Sequence, residues 1–173
     1  MAVVESTISP SSAAFKANRD GMLALITRMR ALEDRARAAS ATARDRFHKR
    51  GQLLPRERVA RLLDRGSPWL ELSTLAGLRM HDDDGEKNVL GGGIVTGIGI
   101  VSGVRCMIFA SDSAIKGGTI TPMGMRKSLR AEAIALENKL PVVRLVESGG
   151  ANLMHVGEVF IEGGRGFANQ APL

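Results

Sequence analysis

Asn138-Lys-Leu-Pro-Val-Val-Arg-Leu-Val-Glu-Ser-Gly-Gly-Ala-Asn152 is the stretch whose reading decides the fold. Pro141 to Glu147 is short, rich in β-branched residues and without helical period. It runs straight into Ser148-Gly149-Gly150, which predicts a buried strand ending in a sharp glycine turn. Glycines at a strand's end let a ligand approach main-chain N–H groups, because no Cβ blocks them and φ is unrestricted. Working outward, a second pair, Gly117-Gly118 in Lys116-Gly-Gly-Thr119, follows the apolar run Val104 to Ala110 in the same way. Between the two pairs a helix is expected from about Pro122 or Met123 to Lys139. Met125, Leu129, Ala133 and Leu136 would face inward, and Arg126, Lys127, Arg130, Glu132 and Glu137 outward. Strand, Gly-Gly, helix, strand, Gly-Gly is a βαβ rhythm, and it calls for a mixed or parallel sheet with right-handed crossovers. The repeated exit points to a site built of main-chain donors rather than of acidic or histidine side chains.

Upstream, Val89 to Ile100 is glycine-rich and β-branched, turns at Ser102-Gly103 and returns as Val104 to Ala110, which reads as a β-hairpin feeding the sheet. The spacing of Gly93, Gly97 and Gly99 is not the dinucleotide pattern Gly-x-Gly-x-x-Gly, so these glycines are read as relieving close packing between layers. Residues 1–11 are small and polar and are expected to be disordered. Residues 12–66 read as a helical hairpin. Its first arm, Ser12 to about Lys49, carries Phe15, Met22, Met29 and Ala36 seven apart with Leu25, Leu32 and Ala39 beside them, a seam for one partner helix. Gly51 stops that arm, Pro55 opens the second, Val59, Leu62 and Leu63 form its apolar face, and Gly66 ends it. Trp69 to Leu72 is a short strand or an anchor. Beyond Val156, a last helix to Asn169 is expected despite four glycines. Residues 67–173 thus form the sheet-bearing domain of an α/β protein.

Composition narrows the function classes. The 173 residues are 44% hydrophobic, enough for one modest core. The longest apolar run, around Gly91 to Val101, is broken by glycines and is no membrane span. The first fifteen residues have no basic region of the secretory kind. The single cysteine, Cys106, excludes an internal disulfide framework and fits a reducing, cytoplasmic setting. His48, His81 and His155 are scattered, and Asp82-Asp-Asp84 lacks the alternation of a calcium loop, so no metal site is expected. The net charge of +6 is N-terminal: residues 1–65 hold 14 Lys and Arg against 7 Asp and Glu, whereas residues 66–173 hold 10 against 11. Without tyrosine or a recognised motif, this excess is read as a solvated helix face rather than a nucleic-acid surface.

A serine hydrolase is the first enzyme to test, since Ser148 ends a strand and His155 follows closely. The nucleophile elbow requires Gly-x-Ser-x-Gly, and Val146 occupies its first glycine position. Glu147 at a strand end is more often paired with an arginine or capping a turn than acting as a base. N–H groups after a strand and at a helix N-terminus, by contrast, suit a developing oxyanion or a phosphate.

One ordered set of motifs carries a family resemblance. It comprises Leu54-Pro-Arg-Glu-Arg-Val-Ala-Arg-Leu-Leu-Asp-Arg-Gly-Ser-Pro68, Leu70-Glu-Leu72, Gly92-Gly-Ile94, Lys116-Gly-Gly-Thr119, Leu129-Arg-Ala131, Leu140-Pro141, Glu147-Ser-Gly-Gly-Ala151 and Gly166-Phe-Ala-Asn-Gln-Ala171. The set resembles the start of the carboxyltransferase (β) subunit of biotin-dependent acyl-CoA carboxylases, and Lys116 in the first Gly-Gly motif is most like the methylcrotonoyl- and geranyl-CoA branch. The resemblance implies a crotonase-like (ClpP/crotonase) fold of stacked ββα units, here preceded by the helical hairpin, in a two-domain subunit of a homo-oligomer. It implies carboxyl transfer from carboxybiotin to the α (or vinylogous) carbon of an acyl-CoA. The biotin would be carried by a partner, the biotin carboxylase and biotin carboxyl carrier subunit, and not attached to this chain. Biotin freed of CO2 serves as the base in that family, and two oxyanion holes hold its ureido oxygen and the thioester enolate. By resemblance Lys116, Gly117, Gly118 and Thr119 line the CoA side, and Ser148, Gly149 and Gly150 border the reaction centre. Family subunits are much longer, and their biotin-side Ala-Gly-Gly stretch and second domain fall after Leu173. Residues 1–173 alone are therefore expected to be inactive, and the alternative reading is an assembly piece of a carboxylase complex.

Overall fold

A computed structural model describes residues 5–80 and 90–171; the polar stretch His81 to Gly85 and the first residue of the expected hairpin, Val89, lie outside the described residues. The hairpin forms from β2 (Ile94–Val101) and β3 (Val104–Ser111), paired antiparallel with Val101 opposite Val104. Its two-residue turn has positive φ at both Ser102 and Gly103, which matches the right-handed twist of the strands. Asp64 fixes this turn by accepting from the Ser102 and Gly103 amides at 2.7 Å each. β1 (Leu70–Leu72) joins β2 antiparallel and β4 (Val142–Leu145) joins β3 parallel, so the sheet runs β1-β2-β3-β4. The β3-to-β4 crossover is α4 (Pro122–Glu137), giving one ββα unit followed by the next strand.

The alternation of side chains along β3 builds two cores. Cys106, Ile108 and Ala110 point to one face and pack with Val59 of α3 (Pro55–Leu62) and with Trp69, while Met107 and Phe109 point to the other and pack with Ala131 and Ala135 of α4. Cys106 to Ala110 of β3 are covered on both faces, which is why that part of the strand reads as an unbroken apolar run. β4 departs from the expected buried strand: it is half-buried at the edge of the described sheet. Gly97 and Gly99 are glycines because Trp69 and Leu63 pack against them. A Cβ on Gly97 would stand 2.5 Å from the indole and from Leu70 O, and one on Gly99 would overlap Leu63.

The chain divides into two compact units, Met1–Asp34 and Arg35–Leu173. In the first, α1 (Ala13–Ala41) begins where Ser12 Oγ accepts from the Phe15 amide at 3.2 Å. Met22, Leu25 and Met29 of the seam are exposed. In the second unit the expected single arm is broken: the Ala43 amide donates to Ser40 O, and the chain restarts as α2 (Arg44–Lys49), because Phe47 must turn inward with Ala43 and Leu54 against Ala114. Gly51 (φ 69°) ends α2, and Pro55 is the first residue of α3 as expected. Glu57 caps α3 by accepting from the Leu54 amide at 2.9 Å, and the adjacent His48 ring and that amide hold its carboxyl below the usual range. α5 (Val156–Gln170) forms despite its glycines. Among the described residues no helix is long and apolar enough to cross a membrane.

α4 departs most from expectation. Lys127 and Glu132, read as outward, are 4% and 3% exposed, and Gly124, Leu129, Ala131 and Ala135 share the burial. The sheet covers one side of α4 and α5 another, so its polar strip is narrower than a surface helix allows.

Candidate functional site

Both glycine pairs leave the same edge of the sheet, at the C-terminal ends of the parallel strands β3 and β4. Their loops are stitched together by main-chain bonds. The Gly149 amide donates to Gly118 O at 3.1 Å, the Ile120 amide to Gly150 O at 2.8 Å and the Asn152 amide to Ile120 O at 3.1 Å, with Ile120 and Ala151 forming a parallel bridge. A Cβ on Gly118 (φ 76°) would overlap Glu147 O, and one on Gly149 would stand 2.7 Å from Gly117 O. These two glycines are thus required by loop against loop. Gly117 (φ 65°) and Gly150 (φ 88°) face open space.

The expected row of main-chain donors is largely engaged within the loops. The Gly118 amide donates to Ile115 O, Thr119 to Lys116 O, Gly149 to Gly118 O and Gly150 to Ser148 Oγ. Ser148 Oγ therefore closes a local turn, and the His155 ring sits 3.7 Å from the Glu158 carboxylate. Glu147 is paired as its position suggests: Arg58 of α3 stands 3.3 Å from one oxygen and Ser113 Oγ donates to the other at 2.5 Å. Ser40 Oγ likewise donates to Asp112 Oδ1 at 3.2 Å. Burial raises the Asp112 carboxyl above its usual range against the pull of Ser40 and the Ala114 amide. The helices of the second unit thus brace both loops from behind.

Beside the stitched loops lies a cavity of about 250 Å³. Gly92, Gly93 and Ile94 line it together with Gly118, Thr119 and Ile120; Met125, Ser128 and Glu132 of α4, Arg144 and Val146, Ser148, and Gly163, Gly166, Phe167 and Gln170 of α5 also border it. Of the sequence-predicted site residues, Gly118, Thr119 and Ser148 line this cavity, while Lys116, Gly117 and Gly150 are exposed on the loops around it. Its polar end is a group no motif announced. Glu132 accepts from Arg144 at 2.5 Å and from Asn169 at 3.1 Å, and the Arg144 guanidinium stacks 4.3 Å from the Phe109 ring centroid. Lys127, read as outward, was missed too; the only signal that could have found it is its i, i+4 spacing with Ala131 and Ala135, which share its burial.

Residues 46–172 match the carboxyl transferase domain family model. The chain belongs to that family. Among solved structures, the β subunit of Pseudomonas aeruginosa geranyl-CoA carboxylase is similar with a TM-score of 0.85 and 55% identity, over 97% of this chain and 31% of that one. A probable mitochondrial methylcrotonoyl-CoA carboxylase β chain of Drosophila melanogaster is 44% identical over 98% of this chain and 29% of its own length. The 3-methylcrotonyl-coenzyme A carboxylase β1 subunit of Mycobacterium tuberculosis is 53% identical over 134 residues, 76% of this chain and 25% of that protein. The chain spans less than a third of the length of these relatives. The fold is the crotonase-like fold of these carboxyltransferases, preceded by a long N-terminal helix.

Proposed function

We propose that this chain is the N-terminal part of a carboxyltransferase (β) subunit that moves a carboxyl group from carboxybiotin to the α or vinylogous carbon of an acyl-CoA. Carboxybiotin supplies the carboxyl group and arrives on a biotin carboxylase and carrier partner; the β subunits themselves form a homo-oligomer. The observation that carries the reading is the pair of stitched loops, residues 116–120 and 147–152, bordering one cavity at the strand ends. Ile94, Ile120, Met125, Val146 and Phe167 give the cavity apolar walls suited to an acyl chain. Lys116 and the open backbone at Gly117 offer a cation and main-chain contact to the phosphates and pantetheine arm of CoA. Ser148, Gly149 and Gly150 border the reaction centre. The lone buried Cys106 supports a reducing compartment, the cytoplasm, which the location of a tagged protein would check.

The test is acyl-CoA titration of a complete subunit containing this chain, wild type against Lys116→Glu, at two salt concentrations. Lys116→Glu should weaken binding up to roughly fivefold at low salt, at most about 1 kcal/mol for an exposed charge, and less at high salt. Equal affinity at low salt would place the CoA groove elsewhere.

A further inference from the structure

Lys127 is a charged group buried where no ligand needs it. Its Nζ donates to Gly91 O at 3.1 Å and to Ile94 O at 2.7 Å, the two ends of the Gly91-Gly92-Gly93 turn. All three glycines have positive φ, at 88°, 71° and 70°, a run that only glycine adopts without strain and that has no conformational preference of its own to hold it. The turn is held instead by its partners. Gly92 O accepts from Thr121 Oγ1 at 3.0 Å, and Gly93 O accepts from the Asp112 amide at 3.0 Å. A Cβ on Gly92 would stand 2.9 Å from the Gly124 main chain, so the turn already touches α4 and can move only away from it. Gly92, Gly93 and Ile94 form one wall of the cavity, and across the turn the main chain makes one long bond of its own, from the Ile94 amide to Gly91 O at 3.5 Å.

We infer that Lys127 is a positioning residue for acyl-CoA binding: its ammonium clamps the Gly91–Gly93 turn from behind and so sets the shape of the cavity wall. The inference rests on the carboxyltransferase reading above. A buried ammonium costs several kcal/mol unless it is fully hydrogen-bonded, so the turn and the cation hold each other in place. The charged groups around it are Glu71 of β1, Arg56 of α3, which pairs with Glu71, and Asp112 after β3. Burial lowers the Lys127 pKa to about 8, with Glu71 opposing and Arg56 adding to the effect. The charge on the clamp is therefore lost just above neutral pH. Two consequences have opposite signs. The unfolded chain binds the proton more tightly than the folded one, so global stability from this group rises with pH above about 8. The clamp itself weakens over the same range, because an amine is a poorer donor to carbonyl oxygens than an ammonium.

The experiment titrates methylcrotonoyl-CoA into the complete subunit, as wild type and as Lys127→Met at pH 7, and as wild type from pH 7 to 9, with thermal unfolding followed in parallel. Lys127→Met should bind roughly tenfold more weakly, the effect of losing two charge-assisted bonds. Wild-type affinity should fall between pH 7 and 9 while its Tm holds or rises; a merely structural lysine would leave affinity flat. A wild type that binds no acyl-CoA at any pH defeats the carboxyltransferase reading itself. A wild type that binds, beside a folded Lys127→Met of unchanged affinity, overturns the clamp alone; if Lys127→Met fails to fold, Lys127→Gln, which keeps a neutral donor, replaces it and unchanged affinity there overturns the clamp.

Discussion

Glycine has two different jobs within four residues of the site. Gly118 and Gly150 both have positive φ, yet only Gly118 has the Glu147 carbonyl where a side chain would be. Gly118→Ala must both strain the backbone and part the two loops, at about 2–3 kcal/mol. Gly150→Ala meets open space and carries only the left-handed penalty, about 1 kcal/mol. Urea unfolding of the two variants should separate them in that order, and equal losses would mean the loops are not docked as described. The motif reading found these positions, but it assigned all four glycines to ligand approach. Steric contact between loops that are 30 residues apart in the chain leaves no local trace, so that division of labour was not legible.

At the scale of elements, the helices of residues 35–66 act as a brace. α3 sends Arg58 to Glu147, the end of α1 sends Ser40 to Asp112, and α2 packs Phe47 beneath Ala114. Arg58→Ala should leave the fold intact but release the loop after β4, raising amide exchange at Gly149 and Ile120 by roughly fivefold, about 1 kcal/mol of local opening. Exchange unchanged at those two amides, with the mutant folded, would show that the main-chain stitching alone holds the loop. The Gly51 stop, the Ser102-Gly103 turn and the Pro55 start were readable, because glycine and proline decide them locally, whereas α3 ends at Leu62, short of the expected Gly66. The break at Thr42-Ala43 was not, because it serves the burial of Phe47 against a segment far along the chain.

For the whole molecule, the response to pH below neutrality is set by carboxyls moved in opposite directions. Glu57 is lowered, so its contribution is present above its unfolded pKa and is lost as pH falls through the folded one. Asp112 is raised by burial, so the folded state holds its proton longer. Its contribution is present below the unfolded pKa, near 4, and is lost as pH rises through the folded value. Asp112→Asn keeps an acceptor for Ser40 and the Ala114 amide and removes the charge. Relative to that variant, the wild type should therefore gain stability as pH falls from 7 toward 4, measured by denaturant unfolding. A parallel pair of curves would mean that Asp112 titrates normally.

The sequence by itself determined the order of strands and helix around the two Gly-Gly exits, the hairpin, the restart at Pro55 and the family, because these rest on period, turn chemistry and ordered motifs. Only the tertiary structure decided which face of α4 is buried, that Glu132, Arg144 and Asn169 meet, and that Lys127 stands behind the glycine turn. A charged residue on a helix reads as solvent-facing until its partners are known, and those partners lie on three other segments whose approach no local pattern encodes.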